Sequence, residues 1–110
     1  MHIVRMEIRT IDNNNLIELL KAKFSISYVH KNEGSYILYL EKYYFRTNSY
    51  QLTSIIIDSM RENIEVTLIS GGGGSGLLGI SWWSESSMNN KIAKEIIKYC
   101  EQKHISYKME

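Results

Sequence analysis

The chain has no proline and a single cysteine, Cys100, in 110 residues. One cysteine excludes an internal disulfide framework and fits a reducing compartment. The missing proline, beside many Ile, Lys and Asn, points to an AT-rich coding sequence, as in a low-GC bacterium or one of its phages. Charge of one sign is missing too: 13 basic and 12 acidic residues nearly cancel. That argues against a polyanion-binding protein whose affinity comes from counterion release, so no nucleic-acid partner is expected. No apolar run approaches a membrane span, the longest surrounding Ser54-Ile55-Ile56-Ile57. The start, Met1-His2-Ile3-Val4-Arg5-Met6-Glu7, is charged and alternating, unlike a signal peptide. A cytoplasmic location with no membrane partner is the expectation.

Glycine is scarce everywhere except in one stretch. Six of the seven glycines, and both tryptophans, lie between Ser70 and Trp83. Glycine tolerates positive φ and lets a second backbone or a ligand come close. Consecutive N–H groups in such a loop form a concavity suited to anions.

The rest of the chain reads as one α+β domain, 1–110, of order β-α-β-β-β-β-β-α. Residues 3–10 alternate at period two, a half-buried strand. Asp12-Asn13-Asn14-Asn15 supplies N-caps for a short helix carrying Leu16, Ile17, Leu19, Leu20 and Phe24. Phe24 to His30 alternates as a second strand, and Lys31 to Ser35 is a hairpin loop containing Gly34. Tyr36 to Arg46 is largely apolar or aromatic on both faces, with Lys42 on one and Glu41 on the other, as a central strand covered on both sides would be. Leu52–Asp58 and Ile64–Ile69 follow as strands, and Leu77 to Trp83 reads as a sixth.

Ser84-Glu85-Ser86-Ser87 then offers caps for a last helix, from about Ser87 to His104. Its apolar stripe is Met88, Ile92, Ala93, Ile96, Ile97 and Cys100, which places the cysteine in the core. Ile105 to Glu110 reads as a frayed tail. Hairpin-length connections make a mostly antiparallel sheet of five to six strands with two helices on one face. The other face then has nothing from its own chain to cover it, and a homo-oligomer is expected.

Chemistry-bearing motifs are few. Gly71/Gly73/Gly76 and Gly74/Gly76/Gly79 both satisfy Gly-x-Gly-x-x-Gly. A dinucleotide site needs that pattern between a strand and a helix, whereas here a strand is expected to follow. No Gly-Lys-Ser/Thr is present for a P-loop. Ser75 lacks the glycine spacing of a nucleophile elbow, and His2, His30 and His104 have no second ligand at metal spacing. Asp58, Glu62 and Glu65 bracket a turn and read as a solvated hairpin end. No catalytic residue, metal or cofactor is assigned.

Trp82 and Trp83, read as neighbours on a strand, face opposite sides, so only one indole can join the core. The other must cover a helix end, meet another subunit or stack on a ligand. Arg46 follows Tyr43-Tyr44-Phe45, and an arginine beside aromatic rings can grip a phosphate while the rings hold a base. Its bland reading is a surface ion pair.

Leu40-Glu41-Lys42-Tyr43-Tyr44-Phe45-Arg46-Thr47-Asn48-Ser49 and the glycine run into Ile80-Ser81-Trp82 resemble an uncharacterised family of small single-domain proteins of low-GC Gram-positive bacteria. The resemblance implies no activity and transfers no catalytic residue. The expected function is therefore a non-enzymatic homo-oligomer binding a small anionic ligand, plausibly a nucleotide, as phage proteins of this size do when they sequester host-defence signals. The ligand residues would be Gly72, Gly73, Gly74, Ser75, Gly76, Trp82, Trp83, Tyr44 and Arg46. The alternative is a protein-interaction module whose glycines serve subunit packing.

Overall fold

The computed structural model describes residues 2–10, 12–44, 49–72 and 78–110. Its elements are β1 (His2–Ile8), α1 (Asn13–Lys23), β2 (Tyr28–Asn32), β3 (Ser35–Tyr44), β4 (Ser49–Ser59), β5 (Ile64–Gly72), α2 (Leu78–Gln102) and β6 (Tyr107–Met109). The strands form a six-stranded sheet in the order β2-β3-β4-β5-β1-β6, every neighbouring pair antiparallel. This is the expected α+β class.

Local chemistry sets the boundaries. Asp12 caps α1, its carboxylate accepting from the Asn15 backbone N–H at 3.3 Å and from the Asn15 side-chain amide at 2.6 Å. Lys21 and Lys23 sit in the last turn, where cations suit the helix dipole. The helix stops at Phe24, which turns extended while its N–H still bonds to the Leu20 carbonyl. The second strand begins at Tyr28 rather than Phe24, just after the Ser27 N–H makes a bond to the Tyr39 carbonyl of β3 at 2.8 Å. Asn32 pairs with Ser35 across a two-residue turn, and Gly34 takes the positive φ of +76° that the turn requires.

One face of the sheet is buried. Met6 and Ile8 of β1, Leu38 and Leu40 of β3, Ile55 and Ile57 of β4, and Ile64, Val66 and Leu68 of β5 point to the same side. They form one core with Leu16 and Leu20 of α1 and Met88, Ile92, Ile96 and Cys100 of α2. Each fully buried aliphatic side chain contributes about 1.5–3 kcal/mol. Both helices therefore lie on this face. Among the described residues, nothing covers the other face, which holds Ile3, Tyr28, Ile37, Tyr39, Leu52, Ile56 and Ile69 at exposed or half-buried positions.

The C-terminal third differs from expectation. Leu77–Trp83 is not a sixth strand, since α2 runs unbroken from Leu78, and Ser84 to Ser87 lie inside it rather than capping it. Locally Leu-Leu-Gly-Ile-Ser-Trp-Trp is rich in strand formers, yet propensity yields to a 25-residue helix whose later turns are anchored in the core. The sixth strand is Tyr107–Met109, in the segment read as a frayed tail. What makes it possible is the end of α2. The Ile105 N–H bonds to the Cys100 carbonyl at 2.8 Å and the His104 N–H to Glu101 at 3.4 Å, with His104 at φ +58°. This is a Schellman cap with histidine in the left-handed position usually given to glycine. It reverses the chain, and β6 pairs with β1.

Candidate functional site

The register brings two of the sequence-predicted residues, Gly72 and Tyr44, toward one end of the sheet. Gly72 closes β5 opposite Gln51, and Tyr44 closes β3 opposite Ser49. Trp82 and Trp83 lie early in α2. They are consecutive helical residues, about 100° apart around the axis, so the opposite-face argument for the pair no longer applies. Gly73, Gly74, Ser75, Gly76 and Arg46 lie outside the described residues.

The expected strand after the glycines is a helix, so the glycine pattern does sit between a strand and a helix. A Rossmann or P-loop reading still fails, now on topology. Both neighbours of β5 are antiparallel to it, whereas those folds place the loop in a parallel sheet. Here β5 and β6 are both antiparallel to β1, hence parallel to each other with β1 between them. The β5–α2–β6 segment is a split crossover that starts at the glycines.

Beside that crossover runs a line of buried polar side chains that the motif search missed. Thr53, Ser70 and Asn89 are each 1% exposed or less. Thr53 and Ser70 are cross-strand partners, and so are Ser70 and His2. The Asn89 Nδ2 lies 2.9 Å from the His2 carbonyl oxygen. A carbonyl only accepts, so the amide nitrogen must face it and the amide oxygen must face Ser70. Ser70 therefore donates to Asn89 Oδ1, at 2.5 Å. Its proton is committed, so Thr53 donates to Ser70 across 3.1 Å. The second Asn89 N–H reaches His2 Nδ1 at 2.9 Å, which assigns that nitrogen as the acceptor and places the ring proton on Nε2.

This line contains a serine, an amide and a histidine but is no catalytic triad. Ser70 donates to an amide oxygen that cannot take up a proton, and His2 faces the amide rather than the hydroxyl. Its effect is positional: it ties α2 to the end of β5 and the start of β1, just before Gly71. The only sequence signal was a polar residue on the inward phase of three elements, at Thr53, Ser70 and Asn89. The register was needed to join them.

Gly71 itself is not demanded by the fold. Its φ is not positive, and a Cβ there would meet nothing within 4 Å. At the opposite end of the sheet Glu7, Glu65 and Asp58 are cross-strand neighbours, and Glu7 accepts a hydrogen bond from Asn63. Among the described residues no three His, Cys, Asp or Glu side chains are grouped to hold a metal, and no helix is long and apolar enough to cross a membrane.

Residues 8–100 match the family of unknown function DUF6054. The chain belongs to DUF6054. The match spans both segments on which the resemblance was read, the Leu40–Ser49 stretch and the glycine run, and runs from the last residue of β1 to Cys100 in α2, leaving out the rest of β1 and all of β6. No curated protein and no solved structure matches the chain.

Proposed function

We propose that this DUF6054 protein is a non-enzymatic, homo-oligomeric binding protein that holds a small anionic ligand at the β5–α2 junction. One observation carries the reading: β5 runs to Gly72, the residues Gly73, Gly74, Ser75, Gly76 and Leu77 follow, and α2 begins at Leu78. The first N–H groups of a helix have no partner within it, and its dipole adds about half a positive charge at that end. Glycines just before such an end let an anion approach the backbone. The polar line behind Ser70 holds the middle of α2, at Asn89, to the end of β5.

Tyr44 at the end of β3 and Arg46, two positions further in the sequence, with Trp82 and Trp83 in α2, are the residues suited to a base and a phosphate. A nucleotide is therefore the preferred anion. Sequestration of a host-defence nucleotide by a phage protein is its narrowest form, supported by size and composition. The second reading, a protein-interaction module, is favoured by the uncovered apolar sheet face.

Native mass spectrometry of the purified protein, followed by a thermal-shift screen of mono-, di- and cyclic nucleotides, separates the two. The ligand reading expects a nucleotide to raise the melting temperature of wild type, and Gly73→Val and Gly74→Val to abolish that shift while the oligomer persists. A blank screen on wild type removes the nucleotide. Valine variants that dissociate the oligomer instead favour the interaction module.

A further inference from the structure

The helix-free sheet face is divided into two chemically different halves, and we propose that a second copy of the chain docks on it about a two-fold axis running along β4. This deepens the oligomeric part of the reading above and is independent of the ligand.

The register defines the halves. On the β1–β5 side the face carries aliphatic Ile3 and Ile69 at one end and acidic Glu7 and Glu65 at the other. On the β2–β3 side the matching positions are aromatic Tyr28 and Tyr39, then Asn32 and Ser35. The tyrosine rings already lean together, centroids 6.0 Å apart and planes at 34°. Ile3 and Tyr28 are 52% and 58% exposed, the two ends of a row across the sheet that is apolar or aromatic except at its centre, Ser54.

A two-fold axis along β4 turns one half onto the other. Ile3 and Ile69 fall over Tyr28 and Tyr39 of the second copy, and Glu7 and Glu65 over its Asn32 and Ser35, which can donate hydrogen bonds to them. Arg5 falls over His30, and of the acidic row only Asp58, on the axis, meets its own counterpart. The other in-plane axis, across the strands, would set Ile3 and Ile69 on Glu7 and Glu65 and desolvate those two carboxylates against aliphatic side chains. Sheets stacked face to face hold their strands within about 30°, which the β4 axis satisfies.

Five strands spaced about 4.8 Å and three rows of side chains cover roughly 500 Å² per copy, or about 1,000 Å² in total. That meets the threshold for a specific interface at its weak end, so a dimer of micromolar affinity is expected.

The experiment is sedimentation equilibrium on wild type, Ile69→Lys, Tyr39→Asp and the double variant, with melting curves recorded at a concentration where all are monomeric. Wild type should dimerise, and each single change should weaken the dimer by roughly tenfold or more with melting unchanged. The double variant should recover most of the loss, because the two opposite charges then face each other across the axis but stand two strands apart within one chain. If either variant fails to fold, Ile3→Lys at the exposed edge replaces it as the test of the face. A monomeric wild type, or single variants that still dimerise, overturns the interface; a double variant that stays monomeric overturns the axis. Nucleotide binding is measured on every variant, so a monomer that still binds leaves the ligand reading intact while removing this one.

Discussion

Ile55 and Ile56 are neighbours in β4, yet one is completely buried and the other half-exposed. The same contrast runs through the whole sheet. On the helix side the described inward positions at the centre of β3, β4, β5 and β1 are buried, and Thr53 and Ser70 among them are joined by hydrogen bonds. On the other side similar aliphatic and aromatic residues lie open. A fold needs only the first face, so the apolar surface of the second requires another explanation, which the second copy proposed above would supply.

The sharpest way to break this comparison is to truncate both neighbours. Ile55→Ala should lose about 2–5 kcal/mol of unfolding free energy, the usual range for a buried aliphatic. Ile56→Ala, measured in dilute monomer, should lose about 1 kcal/mol or less. Chemical denaturation of the two variants checks this, and equal losses would mean the open face is a second core.

The polar line should come next in size. Asn89→Ala removes the acceptor of the Ser70 hydroxyl and the donor to the His2 carbonyl and ring nitrogen, a loss of about 1–3 kcal/mol. Ser70→Ala in the same background should then cost less than in wild type, since only its bond to Thr53 remains to be lost. A double-mutant cycle by denaturation reads the coupling directly.

Cys100 sharpens the buried side through pH. Burial, then the nearby Glu101 carboxylate, pushes its thiol pKa up. The folded thiol therefore ionises at higher pH than the unfolded one. Its contribution to stability is complete below about pH 8.5 and is lost as pH rises through the folded value. Tyr99 shifts upward too, through burial and then Asp12, and acts in the same direction. Cys100→Ala should flatten the alkaline decline in melting temperature and leave a residual slope from Tyr99. A decline of unchanged steepness would remove Cys100 from that account.

The smallest expected change is a gain. His104 holds a left-handed conformation without the freedom of glycine. His104→Gly should raise stability by about 0.5–1 kcal/mol, visible as a higher denaturation midpoint with an unchanged slope.

Much of this architecture was legible from periodicity. Val4, Met6 and Ile8, the cap at Asp12, Gly34 in its hairpin and the Met88–Cys100 stripe all declared themselves locally. The Leu77–Trp83 segment did not, because its strand-forming residues are overruled by a helix stabilised further along. The last strand was illegible for a different reason: three residues carry no period, and their pairing depends on a cap built from a histidine. The glycine run was conspicuous as a candidate site, but Thr53, Ser70 and Asn89 were not. Each looks like an ordinary polar residue until the register sets them side by side.

The central claim is that the two faces differ in what covers them. It is tested most directly by NMR on isoleucine methyl groups, measuring broadening by a soluble paramagnetic probe as protein concentration is raised. Ile55 and Ile57 should be protected at every concentration, while Ile3, Ile56 and Ile69 should be broadened in dilute solution and become protected together as copies associate. Open-face methyls that stay accessible at all concentrations would contradict the account.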